Sequence, residues 1–194
     1  MKSSKLPLLI TAAVLLILTM WGVGQFNGMV EKSEGVDSQW GNVENAYQRR
    51  ADLIPNLVST VKGYADFEKE TLTAVIEARS KASSMQIDAS NLTADNMASF
   101  QAAQGKLSSA LSRLLVTVER YPDLKANQNF LALQSQLEGT ENRINTERNR
   151  FNKAARSYNS HIKKFPARML ASMGGFESRP YFESSAGSET VPQV

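Results

Sequence analysis

Residues 130–165 read FLALQSQLEGTENRINTERNRFNKAARSYNSHIKKF. Phe130, Leu137, Ile144, Phe151, Tyr158 and Phe165 recur every seven positions, a column that neither a strand nor a loop produces. An α-helix has 3.6 residues per turn, so a strict seven-residue column slips by about 20° per heptad. The companion apolar position must then move across the column to keep facing one core. It does: Leu133 lies three residues after its column member, whereas Ala155 and Ile162 lie four after theirs. The pattern predicts one long, nearly straight helix inside a bundle.

Working outward, the same beat appears twice more. Trp40, Tyr47, Ile54 and Val61 form one column, with Val36, Val43, Arg50 and Leu57 beside it. Phe100, Leu107, Leu114 and Tyr121 form another, flanked by Gln104, Leu111 and Val118, and Pro122 stops that helix. Between them EKETLTAVIEARSKA supplies a shorter helix with Leu72, Val75, Ile76 and Arg79 on one face and Asp66 near its start. Connections are short except for the polar loop after residue 84, so neighbouring helices should be antiparallel. Gly174-Gly175 and Pro180 interrupt any helix after Pro166.

At the other end, residues 6–23 (LPLLITAAVLLILTMWGV) are almost wholly apolar, and no charged side chain occurs from residue 6 to residue 30. That length covers a hydrocarbon core of about 30 Å at about 1.5 Å per residue. Trp21 suits one interface, and Lys2 and Lys5 flank the other. A cleaved signal sequence is the competing reading; the uncharged stretch exceeds its usual apolar region of about 7–15 residues, which favours a retained anchor. Lys2 and Lys5 against the lone Lys32 in EKSEGVD place the bundle outside the cytoplasm.

The expected fold is therefore all-α: an N-terminal transmembrane helix, a long antiparallel four-helix bundle running up-down-up-down, and an irregular C-terminal tail. The corresponding units are residues 1–30 (anchor and stalk), 31–166 (bundle) and 167–194 (tail, flexible at its end). A coiled-coil homo-oligomer is compatible with the same heptads, but four amphipathic segments in one chain can satisfy one another.

Composition narrows the chemistry. With no cysteine there is no disulfide, thiolate metal site or lipoprotein anchor, and His161 is the single histidine. Setting aside Lys2 and Lys5 leaves 20 basic against 19 acidic side chains, too balanced for a nucleic-acid binder. A di-metal carboxylate bundle needs Glu-x-x-His pairs, and Tyr158 stands where His161 would need its glutamate. No nucleophile elbow, phosphate loop or dinucleotide fingerprint occurs. No catalytic residue, cofactor or metal is expected.

What remains are candidates for structure and interaction. Asn145, Asn152 and Asn159 follow the long apolar column by one residue, about 100° around the helix, on the border between core and solvent. They read either as polar trim that fixes helix register, or as a groove for a peptide or partner helix with Tyr158 as its amphipathic anchor. Pro55 removes a helical donor and should kink its helix or free the carbonyl of Ala51. Arg50 sits in an apolar column and needs a carboxylate. If the first helix ends near Tyr64, level with Phe130, antiparallel counting puts Arg50 opposite residues 144–147, where Glu147 is the available acid for a contact or a shared network. Finally, residues 143–168 hold eight basic side chains and one acid. The up-down-up-down path brings Lys163, Lys164 and Arg168 back toward the bilayer beside Met169, Leu170, Met173 and Phe176, a basic and apolar pairing suited to lipid.

The stretches WGNVENAYQRRADLIPNLVSTVKGYADFEKETLTAVIEARSKA, VERYPDLKANQNFLALQSQLEGTENRINTERNRFNKAARSYNSHIKKFP and PYFE resemble the LemA family of bacterial membrane proteins. RRADLIPNLV, YPDLKA and the YN pair occur together and in order beside an N-terminal span, and the resemblance covers nearly the whole chain. It implies a membrane anchor carrying an α-helical bundle, with no established catalytic activity or cofactor and no known molecular function. One departure is Phe151-Asn152, where the family pattern has tyrosine. The combined expectation is a single-pass protein of the bacterial inner membrane, held by lipid through its N-terminal helix. Its bundle would be a non-catalytic scaffold for another envelope protein; an envelope enzyme or a metal- or ligand-binding helical protein is the alternative.

Overall fold

A computed structural model describes residues 5–64 and 67–183. Six α-helices follow in order: α1 (Lys5–Lys62), α2 (Lys69–Ser84), α3 (Ala94–Val118), α4 (Pro122–Lys125), α5 (Gln128–Lys163) and α6 (Ala167–Met173). The apolar span and the first bundle helix are one element. No separate stalk lies between them, because α1 passes from its exposed apolar segment into the bundle core at Met29. One helix is long and apolar enough to cross a membrane.

The bundle is antiparallel. Along α1 and α5, Lys32 Nζ reaches Ser157 Oγ, Gln39 reaches Glu147, and Tyr64 Oη accepts from Asn127 at the far end. For α2 and α3, Arg120 pairs with Glu68 at one end and Gln104 Nε2 donates to the carbonyl of Ala82 at the other. Local chemistry fixes the ends. Asn127 caps α5 by accepting from the amides of Asn129 and Phe130. Thr93 does the same for α3 through Asn96, and Pro122 occupies the first turn of α4, where its missing N–H costs nothing. Asp66, expected near the start of α2, lies outside the described residues.

The long column is buried from Phe130 through Tyr158. Phe165 departs from it and is 82% exposed. The cause is Pro166, which disfavours helical backbone in the residue before it, so α5 stops at Lys163. Pro55 stays inside a continuous α1, and the carbonyl of Ala51 that it leaves without a helical donor accepts from Arg79 Nε of α2 at 2.8 Å. The backbone defect becomes an inter-helix bond.

The core has two parts. Farther from the span it is mainly aliphatic: Ile54, Leu57 and Val61 of α1 meet Leu72, Val75, Leu107, Leu114 and Leu137, with Phe67 and Phe130 buried at its far end. Nearer the span it is aromatic, built on Trp40, Tyr47, Phe100, Phe151, Tyr158 and Phe182. α2 does not reach this half. Its place is taken by the loop carrying a 3-10 turn (Ala89–Asn91), with Leu92 buried, and by the C-terminal segment. Residues 167–183 are thus not an appended tail: α6 is helical, Ala167 and Ala171 pack inward, and Phe182 is core. The expected flexible end, from residue 184, lies outside the described residues.

Candidate functional site

The C-terminal segment reverses direction after α6. Gly175 has φ +72°, and the amide of Phe176 donates to the carbonyl of Ala171, a helix-terminating turn in which glycine avoids the Cβ clash of left-handed backbone. The chain then runs extended, antiparallel to α5, along the border where Asn152 and Asn159 lie.

Each of these asparagines grips one residue by its backbone. Asn159 Nδ2 donates to the carbonyl of Arg179 at 2.8 Å, while its Oδ1 accepts from the amide of Arg179 at 2.8 Å. Asn152 does the same for Phe182, at 3.0 and 2.8 Å. The match is metric. Seven residues of helix span about 10.5 Å, and three residues of extended chain span about 10 Å. A heptad of asparagines therefore meets every third peptide unit.

Side chains complete the clasp. Phe182 stacks on Trp40 (6.0 Å between ring centroids) and meets Phe151 edge-on (5.5 Å), while the Arg148 guanidinium lies 4.9 Å over its ring. Arg148 also donates to the carbonyl of Glu183 at 2.8 Å. Arg179 ties three elements together: it donates to the carbonyl of Ala89 in the loop and to Ser33 of α1, and pairs with Asp37 at 3.0 Å. Burial pushes the Asp37 carboxyl above its ordinary value, with Arg179 opposing that shift and Glu34 and Asp88 adding to it. Burial likewise raises the Tyr158 hydroxyl. Asn145, two turns before Asn152, borders an open cleft of about 930 Å³ together with Gln101, Ser108, Arg148 and Pro180.

Of the residues singled out in the sequence, Asn152, Asn159 and Tyr158 come together here. Tyr158 is buried core, not an exposed anchor. Arg50 and Glu147 do not meet. Arg50, 1% exposed, donates to Gln104 Oε1 at 2.6 Å and to Ser108 at 2.7 Å and pairs with Glu141, all between the two core halves. Glu147 is bound by Gln39 at 2.9 Å and Arg150 at 3.0 Å. The displaced register explains the correction. Tyr64 is level with Asn127 rather than Phe130, so Arg50, fourteen residues before Tyr64, faces residue 141, fourteen after Asn127. Pro55 lies in the other half of the bundle, and Lys163, Lys164 and Arg168 are exposed at the span end. Arg179 and Phe182 were missed as site residues. Their signal was a three-residue spacing in the tail answering a seven-residue spacing in α5.

Among the described residues no group of three or more His, Asp or Glu side chains is placed to hold a metal ion. A family model described as the LemA family matches residues 39–194. Magnetosome protein MamQ 2 of Paramagnetospirillum magneticum is 27% identical, over 88% of this chain and 70% of its own length. Magnetosome protein MamQ of Magnetospirillum gryphiswaldense is also 27% identical, with the same coverage. Protein LemA of Metamycoplasma hominis is 26% identical over 74% of this chain and 62% of its own length.

Proposed function

This chain belongs to the LemA family, and from that premise we propose that it is a non-catalytic interaction module of the bacterial cell envelope. In this reading α1 crosses the inner membrane once, the bundle stands outside the cytoplasm, and the span-side half presents an extended-peptide groove to another envelope protein. One observation carries the reading: two asparagines seven residues apart hold an extended segment through backbone donors and acceptors. Backbone recognition tolerates varied side chains and leaves selectivity to one aromatic pocket, as peptide-binding modules that add an extended segment do. The third asparagine of the series, Asn145, lines a cleft at the end of that line, and that cleft is the place proposed for a partner's extended segment.

The names of the relatives support the same class, since "magnetosome protein" states a place and not a reaction. The buried charges support it too: Arg50 and Glu147 are both spent on bonds within the bundle. The test is photo-crosslinking in intact cells from a reactive amino acid at position 145, with position 116 at the opposite end as reference. A discrete envelope-protein adduct specific to position 145 is expected. Adducts only within the chain, or the same adducts from both positions, would overturn the groove.

A further inference from the structure

α6 is apolar on both sides. Ala167 and Ala171 face the bundle and are buried. Met169 and Met173, four residues apart on the opposite side, are 61% and 85% exposed. Phe165, in the turn between α5 and α6, is also exposed. Exposed apolar side chains grouped in this way mark a contact surface.

Where this stripe sits decides what covers it. Phe176, directly after the glycine turn, packs against Phe26 of α1 with ring centroids 5.3 Å apart. A Cβ on Gly174 would come within 3.1 Å of the same Phe26 ring. Phe26 is three residues, about 4.5 Å of helix rise, beyond Val23, the last residue of the apolar span. The elbow made by the end of α5, α6 and the glycine turn is therefore held at the height where α1 leaves the hydrocarbon. Lys163, Lys164 and Arg168 are exposed on this elbow, and no acidic residue occurs from residue 163 to residue 176. Cationic side chains bordering an apolar stripe match an anionic headgroup layer over acyl chains.

We propose that this elbow is a second membrane-binding site, seated on anionic phospholipid with Phe165, Met169 and Met173 in the interface and Lys163, Lys164 and Arg168 at the headgroups. The site is independent of the peptide groove. The chain has no cysteine, so a single Met173→Cys variant of the full chain takes one fluorescent label, and Val116→Cys, exposed at the far end of α3, takes the reference label. Both are reconstituted into vesicles of phosphatidylcholine with or without phosphatidylglycerol. Quenchers carried on lipid acyl chains should quench the label at 173 in anionic vesicles and leave the label at 116 unaffected. High salt, or omitting phosphatidylglycerol, should lower the quenching at 173. Glutamine at 163, 164 and 168 should shift the docked population toward free by about fivefold for each charge removed. Equal access of iodide to both labels with no lipid quenching would overturn the proposal. So would burial of the 173 label in detergent that grows with protein concentration, since a second copy of the chain would then be the occupant.

Discussion

The two halves of the bundle solve the same packing problem by different means. Far from the span, α1, α2, α3 and α5 present mostly Ile, Leu and Val at heptad spacing, and Phe67 and Leu124 of the connections close the end of that core. Near the span α2 is absent, and α1, α3, α5 and the short α6, with a loop and the C-terminal segment, close around large rings instead. Arg50, with Gln104, Ser108 and Glu141, lies between the two as a polar layer. Aliphatic residues dominate where most neighbours are long helices. Where the walls are irregular, aromatic rings fill unequal gaps and asparagine side chains satisfy backbone that no helix partner can.

If the halves are separate cores, the largest effect should come from Phe151→Ala. It removes a ring against which both Trp40 and Phe182 pack, and should cost about 3–5 kcal/mol in urea unfolding of the full chain in detergent. Amides of residues 177–183 should exchange faster with deuterium while those of α2 keep their protection. Equal acceleration in both halves would show one cooperative core.

Next in size is the layer itself. Glu141→Ala leaves the buried Arg50 guanidinium without its carboxylate, although Gln104 and Ser108 still accept from it. The carboxylate side chain is 41% exposed, so the expected loss is about 1.5–3 kcal/mol, short of that for a fully buried pair. An unchanged urea midpoint would mean that water replaces Glu141 at no cost.

Asn159→Ala should cost about 1–3 kcal/mol, because the amide and carbonyl of Arg179 lose their partner at a buried position. Asn152→Ala should cost less, since Asn152 is only half-buried. Proteolysis by chymotrypsin after Tyr181, which lies in the same segment, reads the release directly. If both variants resist cleavage as the parent does, Phe182 alone holds the segment and the asparagines are trim.

The smallest effect is that of pH on Asp37. Because burial raises its folded-state value, the folded chain holds this proton more readily than the unfolded chain. Its contribution to stability is present in acid, below the ordinary aspartate value, and is lost as pH rises through the raised folded value. Asp37→Asn removes that loss. The variant's urea midpoint relative to the parent should rise as pH increases from below the ordinary aspartate value through the raised folded one, and a constant difference would remove Asp37 from the account.

The same contrast governs what the amino-acid order disclosed. The helical half was legible because each partner is another heptad, and columns such as Ile54, Leu107 and Leu137 predict burial without knowing which helix faces which. The asparagine beat was legible as a border feature, with its occupant undetermined between helix and peptide. Nothing local in RPYFE marks it as the occupant. Its rungs exist only when two spacings, seven in a helix and three in an extended chain, lie side by side, and their sequence separation is 20 residues for Asn159–Arg179 and 30 for Asn152–Phe182. Arg50 was legible as a buried charge in need of an acid, but its partner was not, because an error of three residues in matching helix ends moves the facing position by nearly a full turn.

The unbroken path of α1 makes the protein a lever. In the proposed membrane-crossing arrangement its fulcrum is near Val23, and its long arm, the 39 residues to Lys62, measures about 58 Å. Helices tilt to match bilayer thickness, and a tilt of about 10° at the short arm would sweep the far tip by about 10 Å. With no loop inside the 58 residues to absorb that rotation, a bilayer that thinned would move the whole bundle sideways unless the elbow beside Phe26 held it to the lipid surface.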